Sequence, residues 1–175
     1  MLRPLGLLFF VTLMPIALFC RATDHILFTH FAPSEARLFI SNADGSSERA
    51  LTQSGTLDYN PTWSPSGDWI VFTSERAGSA DLYRIHHDGT GLERLTDDPA
   101  YDDQGALSPD GKQVVFVSTR ARGRANLWML EVATHKARPL TSGDGGDCRP
   151  AWSPDGKWIA FSSDRGSDLP PAKGR

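Results

Sequence analysis

Cysteine is scarce in this 175-residue chain, which contains two, Cys20 and Cys148. Cys20 lies in an N-terminal segment that is predicted, for reasons given below, to be removed. A single remaining cysteine excludes an internal disulfide, so the fold has to depend on its apolar core. Five Trp and nine Phe residues supply large side chains for that core.

Runs of basic residues are also missing. The chain has 18 Lys and Arg residues against 21 Asp and Glu residues, which gives a net charge of −3. Proteins that bind nucleic acid carry clustered positive charge that neutralises phosphates. The composition therefore excludes nucleic acid as an expected partner.

Catalytic motifs are absent from the sequence as well. It contains no Gly-x-Ser-x-Gly nucleophile motif, no His-Glu-x-x-His zinc motif and no phosphate-binding glycine loop. The five histidines do not have the spacing of metal ligands. We therefore predict a protein that is not an enzyme, with no catalytic residues and no assigned metal or cofactor.

A long apolar run occurs at the N-terminus. Arg3 gives a basic start, residues 5–20 are almost wholly apolar, and small residues lead to Ala22. This order is typical of a secretory signal peptide, so residues 1–22 are predicted to be cleaved after Ala22. The run is shorter than the roughly 20 residues of a membrane-spanning helix. We expect a periplasmic or secreted protein with no stable membrane span after cleavage.

The strongest signal is an internal repeat. The segment Trp-Ser-Pro-Ser-Gly at 63–67 recurs as Leu-Ser-Pro-Asp-Gly at 107–111 and as Trp-Ser-Pro-Asp-Gly at 152–156, at intervals of 44 and 45 residues. The pair Leu-Thr closes the successive units at 51–52, 95–96 and 140–141. Anchors that recur in register indicate a repeat architecture.

Each complete unit is predicted to form four short antiparallel strands. Pro followed by Asp-Gly or Ser-Gly ends one strand and forms a tight turn, and β-branched apolar runs such as 114–117 follow. Four strands in about 40–45 residues is the pattern of a β-propeller blade. The sequence thus predicts an all-β propeller at residues 23–169, with units 24–52, 58–96, 102–141 and 147–169.

These units amount to about three and a half blades, too few for a closed ring under the usual range of four to eight. The first unit has no segment for its first strand, and the last has only its first two strands before Pro170 and Pro171 begin an irregular tail at 170–175. Three interpretations stay open. The chain is a truncated part of a longer protein, or two copies form a homodimer that completes a ring, or the first strand of the last unit completes the first unit.

Residues 152–166 resemble the repeat of the TolB-like β-propeller family, and the Asp-Leu-Tyr and Asp-Gly segments at 81–83 and 88–89 fit the same repeat. The resemblance implies a non-catalytic protein that binds a protein or peptide partner in the cell envelope or extracellular space. Similar blades precede the hydrolase domain of prolyl-oligopeptidase-like serine peptidases. The alternative is therefore the truncated N-terminal propeller of such a peptidase.

Polar residues recur just before the first strand of each unit. They are Asp58 with Asn60, Asp102 with Asp103 and Gln104, and Asp147 with Arg149. Because the first strand of a blade borders the central channel, these residues are expected at one mouth of that channel, where they would receive a basic peptide or a hard cation such as calcium. The alternative is that each aspartate caps its own loop.

The recurring Arg76, Arg120 and Arg165 are expected to pair with acidic loops of neighbouring blades, and Trp63 and Trp152 to pack between blades.

Overall fold

The computed structural model describes residues 24–166. The predicted signal peptide at 1–22 and the predicted tail at 170–175 lie outside the described residues. Between residues 24 and 166 the chain forms thirteen strands in four antiparallel sheets. No helix in this part of the chain is long and apolar enough to cross a membrane.

The four sheets follow one another along the chain as four blades. The first blade consists of β1 (His25–Ala32), β2 (Glu35–Asn42) and β3 (Arg49–Ala50). The second consists of β4 (Asp58–Trp63), β5 (Trp69–Ser74), β6 (Asp81–His86) and β7 (Glu93–Arg94). The third consists of β8 (Asp102–Leu107), β9 (Gln113–Ala121), β10 (Arg124–Glu131) and β11 (Lys136–Pro139). The last consists of β12 (Asp147–Trp152) and β13 (Ile159–Ser163).

The Ser-Pro-Asp-Gly segments form the turn between the first two strands of a blade. In the third blade the Ser108 hydroxyl donates to the Asp110 carboxylate at 2.7 Å, and the backbone N–H of Gln113 donates to Ser108 Oγ at 2.9 Å. Gly111 has a φ of 72°, a conformation that costs glycine little and other residues more. Ser153, Asp155 and Gly156 repeat this turn in the last blade.

Apolar side chains fill the spaces between successive blades. Leu38 and Leu51 of the first blade pack with Ile70, Phe72, Tyr83 and Ile85 of the second. Val71, Leu82 and Leu95 of the second blade pack with Leu107, Val114, Phe116 and Leu130 of the third. Val115, Val117, Leu127 and Met129 of the third pack with Cys148, Trp152 and Ile159 of the last. In the second and third blades, strands two and three therefore bury both of their faces, which explains their continuous apolar sequences.

Tryptophans contribute to these inter-blade spaces, as predicted. Trp63 packs against the core between the first and second blades. Trp152 packs against the core between the third and last blades, and its indole N–H donates to the Ala106 carbonyl at 3.0 Å. The large apolar rings, together with the indole N–H of Trp152, thus bind consecutive blades together.

The described residues form an open arc, which confirms the prediction of an incomplete propeller. The first blade lacks a strand on the inner side of β1, and the last blade holds two strands. Phe161 of the last blade is exposed, whereas its repeat counterparts Phe72 and Phe116 are fully buried. The ends of the arc therefore expose residues that the interior blades bury.

Candidate functional site

A buried aspartate begins the innermost strand of each of the last three blades. Asp58, Asp102 and Asp147 are completely buried. The Arg76 guanidinium donates to both Asp58 oxygens at 2.9 Å, Arg120 donates to Asp102 at 2.5 Å, and Arg165 donates to Asp147. Each arginine lies eighteen residues after its aspartate and belongs to the same blade.

The expectation that these arginines pair with neighbouring blades was therefore wrong for their main partner. Strands one and two are adjacent and antiparallel, so a residue at the end of strand two, or just after it, returns to the start of strand one. Arg120 also contacts Asp98, in the loop before its own blade, at 3.4 Å. The carboxylates thus receive guanidinium groups rather than the backbone N–H groups of a simple loop cap.

Aromatic rings surround the arginine side chains. The Arg76 guanidinium lies 5.6 Å from the Phe72 ring centre and 4.9 Å from that of Tyr83. Arg120 has the same relation to Phe116 and Trp128, at 5.5 Å and 5.3 Å. A guanidinium held between a carboxylate and ring faces has a structural role in joining strands one, two and three of a blade.

Burial affects the protonation of Asp102. The loss of hydration on burial raises the pKa of the Asp102 carboxyl group. Hydrogen bonds from Ser118 and Arg120 oppose that rise. The opposite effect occurs in the exposed turns, where the Ser108 hydroxyl lowers the pKa of Asp110 and the Ser153 hydroxyl lowers that of Asp155. The buried aspartate and the turn aspartates are therefore shifted in opposite directions by their environments.

A β-bulge interrupts the innermost strand of each of these blades two residues after the aspartate. Asn60, Gln104 and Arg149 occupy the bulges and have positive φ angles of 51°, 55° and 54°. Residues other than glycine rarely adopt this left-handed conformation, although Asn tolerates it better than most. Bulges redirect side chains and are frequent next to functional sites. This shared distortion of the innermost strands could not be read from the repeat.

The bulge residues connect one innermost strand to the next. Strand β8 contacts β4 on one side and β12 on the other. The Asn60 side-chain amide donates to Asp103 at 2.8 Å, and the backbone N–H of Arg149 donates to Gln104 Oε1 at 2.7 Å. The Thr62 hydroxyl also donates to the Gly105 carbonyl at 2.6 Å. Asn60, Gln104 and Arg149 therefore form a continuous row, which we call the inner row.

The structure divides the predicted site residues into two groups. Asp58, Asp102 and Asp147 are buried in ion pairs, and Asp103 is buried beneath Asn60, where it also accepts from the Thr73 hydroxyl at 2.6 Å. Asn60 and Arg149 are exposed, and Gln104 is half-buried. The accessible face of the inner row is thus formed by two amides and a guanidinium rather than by carboxylates.

The calcium expectation finds no support in this arrangement. Among residues 24–166 no group of three or more His, Cys, Asp or Glu side chains could hold a metal ion. The three aspartates that recur in the sequence are each held by an arginine in their own blade. A cation at these carboxylates would have to displace a guanidinium from a buried position.

A further buried ion pair has no counterpart among the predicted site residues. Asp81 is completely buried and accepts from Arg94 at 2.7 Å and from the Ser79 hydroxyl at 3.1 Å. The corresponding position in the third blade is Asn126, so the repeat itself gave no recurring charge to identify. The sequence signal for this ion pair lies in the second unit alone, which has an aspartate at the start of strand three and an arginine in strand four.

Comparisons with known proteins bear on this repeat. A family model for the TolB beta propeller domain matches residues 18–122 and 105–169, which together span most of the chain. The chain belongs to the TolB β-propeller family. No curated protein sequence matches it.

Several solved structures share the fold of the chain. TolB from Acinetobacter baumannii is 23% identical with a TM-score of 0.71, over 82% of this chain and 37% of that one. A TolB-type structure from Agrobacterium tumefaciens is 24% identical with a TM-score of 0.70, over 79% of this chain and 50% of that one. An oligogalacturonate lyase in complex with manganese is 22% identical with a TM-score of 0.66, over 83% and 43%. This chain therefore spans half or less of the length of these relatives, which include an enzyme.

Proposed function

We propose that this TolB-family chain is a non-catalytic propeller that binds a protein or peptide partner in the cell envelope or extracellular space. The family assignment supports this function, because the structural relatives include TolB proteins. The buried carboxylates of Asp58, Asp81 and Asp102 support a non-catalytic role, since each is paired with an arginine of its own blade.

The observation that carries the proposal is the inner row. Three consecutive innermost strands present Asn60, Gln104 and Arg149 at equivalent bulges. Amide groups can both donate and accept hydrogen bonds, and an exposed guanidinium offers several donors. An extended peptide has alternating backbone N–H and C=O groups that such a row can bind. The exposed Arg149 guanidinium favours a partner segment with a carboxylate over the basic peptide expected from the sequence, because like charges repel.

Site-specific photo-crosslinking in the cells that encode the protein tests this proposal. A photoreactive amino acid at position 104 or 149 is expected to give a discrete covalent adduct with a partner protein. Position 138 is the matched control, because Arg138 is also exposed but lies on the outermost strand β11 of the third blade. Adducts of equal intensity at all three positions, or none at 104 and 149, would contradict binding at the inner row.

We propose that residues 1–22 export the protein to the periplasm or the outside of the cell. The basic start, the apolar run and the small residues before Thr23 support this assignment. Mass spectrometry of the protein recovered from the extracytoplasmic fraction is expected to identify Thr23 as the first residue. Protein that keeps Met1 and stays in the cytoplasm would contradict export.

The second candidate is the N-terminal propeller of a prolyl-oligopeptidase-like serine peptidase. A peptidase from Mycobacterium tuberculosis that hydrolyses puromycin shares the fold, with a TM-score of 0.54 and 15% identity over 67% of this chain and 20% of that one. Sequencing the transcript beyond the Arg175 codon discriminates between the candidates. A Gly-x-Ser-x-Gly motif in a downstream hydrolase domain would favour the peptidase.

We further propose that two copies of the chain pair to complete a ring. The open arc supports this pairing, because sheet edges and apolar blade faces that are left uncovered promote association. Closure by additional blades of a longer polypeptide is the competing arrangement. Light scattering on the exported protein separates the two, since pairing predicts twice the mass of one chain.

A further inference from the structure

The first and last blades are incomplete in complementary ways. The first blade has three strands, and the inner edge of β1 has no strand beside it within residues 24–166. In the part of the chain that the structure describes, the last blade contains an innermost strand, β12, and one further strand, β13. The first blade therefore lacks the kind of strand that the last blade supplies.

Repeat register shows how the two pieces would fit. In the second blade Asp58, Tyr59 and Trp63 lie opposite Ser74, Thr73 and Ile70. In the first blade, 44 residues earlier in the sequence, strand β1 has His30, Thr29 and Ile26 at the positions of Ser74, Thr73 and Ile70, respectively. In the last blade, strand β12 has Asp147, Cys148 and Trp152 at the positions of Asp58, Tyr59 and Trp63, respectively. Pairing of β12 with β1 would therefore repeat the geometry of the complete blades.

We propose that β12 of a second copy pairs with β1 and completes the first blade, with β1 taking the place of β13 in each copy. This inference rests on the proposed pairing of two copies. Each copy contributes two complete blades, and the two junctions form two further four-stranded blades. The ring then has six blades, within the range of about four to eight that propellers adopt.

The exchange replaces a weak sheet with a stronger one. Strand β13 forms a two-stranded sheet with β12, and such a sheet is marginally stable by itself. Four of its five residues are exposed. Strand β1 has apolar residues at the same register positions, because Phe28 corresponds to Phe161 and Ile26 corresponds to Ile159. Strand β1 is also already paired with β2, which is paired with β3. The exchange therefore turns sheets of two and three strands into one of four.

Exposed apolar residues lie where the junction would cover them. Leu140 at the end of the third blade is 38% exposed, whereas its counterparts Leu51 and Leu95 are 7% and 1% exposed. Those counterparts pack with Phe72 and Phe116 of the following blade. Phe28 is the first-blade counterpart of these phenylalanines, and its ring stacks on Phe39 at 5.7 Å. In the proposed ring, Phe28 of one copy reaches Leu140 of the other.

A hydrogen-bonding side chain on β1 takes the place of the contact that the exchange breaks. Release of β13 removes Arg165 from the buried Asp147 carboxylate, which is costly unless another donor replaces it. In the third blade the residue opposite the aspartate, Ser118, hydrogen-bonds Asp102. His30 occupies the equivalent position in β1, so an imidazole of one copy would lie beside Asp147 of the other.

The area of the two junctions approaches that of a stable interface. A strand residue covers about 16 Å² of sheet face, from a rise of about 3.3 Å and a strand spacing of about 4.8 Å. Strands β1, β2 and β3 have 8, 8 and 2 residues, so one junction covers about 300 Å² of flat sheet face. Each copy takes part in two junctions, and side chains that protrude from the sheet bury additional area beyond that of a flat face. Stable interfaces bury about 800 Å² per partner.

A disulfide trap that uses the native Cys148 tests the exchange. Thr29→Cys is introduced into the full-length gene, and the exported protein is isolated and checked by mass for removal of Cys20. Directly opposed residues in antiparallel strands have Cα atoms about 4.5–5.5 Å apart, a separation that a disulfide can span. Mild oxidation is expected to give a covalent dimer in which the thiol introduced at position 29 of one copy is bonded to Cys148 of the other. Reductant is expected to return this dimer to single chains.

Two matched variants serve as controls for the trap. Ser162→Cys lies opposite Cys148 within one copy and forms an internal disulfide if β13 stays in place. Phe31→Cys lies on β1 at an exposed position that is out of register with Cys148, and it should give no specific dimer. His30→Asp brings like charges together at Asp147 and is expected to reduce the dimer fraction at least tenfold.

The outcomes separate the exchange from pairing in general. A dimer by light scattering in which Thr29→Cys forms the covalent link supports the exchange. A dimer in which Ser162→Cys closes internally and Thr29→Cys does not react overturns the exchange and leaves another mode of pairing. A folded monomer overturns both, as expected if further blades of the same polypeptide close the ring.

Discussion

The Arg120 guanidinium donates to the buried Asp102 carboxylate across 2.5 Å and lies over the rings of Phe116 and Trp128. One side chain thereby joins strands β8, β9 and β10 of the third blade. The same arrangement at Arg76, Asp58, Phe72 and Tyr83 joins the corresponding strands of the second blade. The ion pairs that recur in register are thus internal supports of the blades.

Arg120→Met is expected to lower the free energy of unfolding by about 3 kcal/mol, because it leaves the Asp102 carboxylate buried without its partner. The double variant Asp102→Asn/Arg120→Met is expected to recover part of this loss, since it removes the buried charge as well. Chemical denaturation measures both. Arg138→Met is the control on an exposed outer strand and should change stability by less than about 0.5 kcal/mol. Equal effects of Arg120→Met and Arg138→Met would contradict a supporting role.

The carboxyl group of Asp102 should titrate at a higher pH than those of Asp110 and Asp155. Burial raises the pKa of Asp102, whereas serine hydroxyls lower those of the two turn aspartates. Because the folded-state pKa of Asp102 exceeds its unfolded value near 3.8, this group favours folding below that pH. The contribution is lost as the pH rises through the folded-state pKa. NMR titration of the carboxyl carbons measures the order, and the reverse order would contradict it.

Gly105→Ala is expected to destabilise the contact between the second and third blades. A Cβ atom at this position would lie 2.9 Å from Val71 Cγ1 and 3.1 Å from the methyl groups of Leu82, which are both buried. Overpacking of this kind costs about 1–3 kcal/mol. Gly146→Ala is the matched control, because its nearest contact would be 3.8 Å. Thermal unfolding that shows the same loss for both variants would argue against close packing at Gly105.

Asn60→Gly and Asn60→Ala separate the two functions of a bulge residue. Both remove the hydrogen bond to Asp103, but alanine also has to adopt the positive φ of 51°. We expect Asn60→Ala to be less stable than Asn60→Gly by about 1 kcal/mol. The difference in the midpoint of chemical denaturation measures this strain. A more stable alanine variant would show that the bulge relaxes when the hydrogen bond is lost.

The spacing of the repeat was sufficient to predict the fold. Intervals of 44 and 45 residues between the Trp/Leu-Ser-Pro segments, the Asp-Gly turns and the β-branched runs placed the four-stranded units, because strand, turn and burial patterns are local properties of the chain. Counting these units also predicted the open arc. The aspartates were found in the same way, because a charge that recurs at one register position is visible without coordinates.

What these aspartates contact was decided by the tertiary structure. Antiparallel pairing returns Arg120 to Asp102 in its own blade, whereas the sequence alone favoured a neighbouring blade. The positive φ at Asn60, Gln104 and Arg149 follows from bulges in the innermost strands, and Asn, Gln and Arg have no common preference that reveals it.

The sequence by itself thus determined the all-β repeat, the number of blades and the identity of the recurring polar residues, since each is a matter of period and residue type. Only the tertiary structure decided that the carboxylates are buried in ion pairs and that the inner row presents amides and a guanidinium. The physical reason is that burial and pairing depend on which strands become neighbours. Residues such as Asn60 and Asp103, 43 positions apart, meet only when two blades pack side by side.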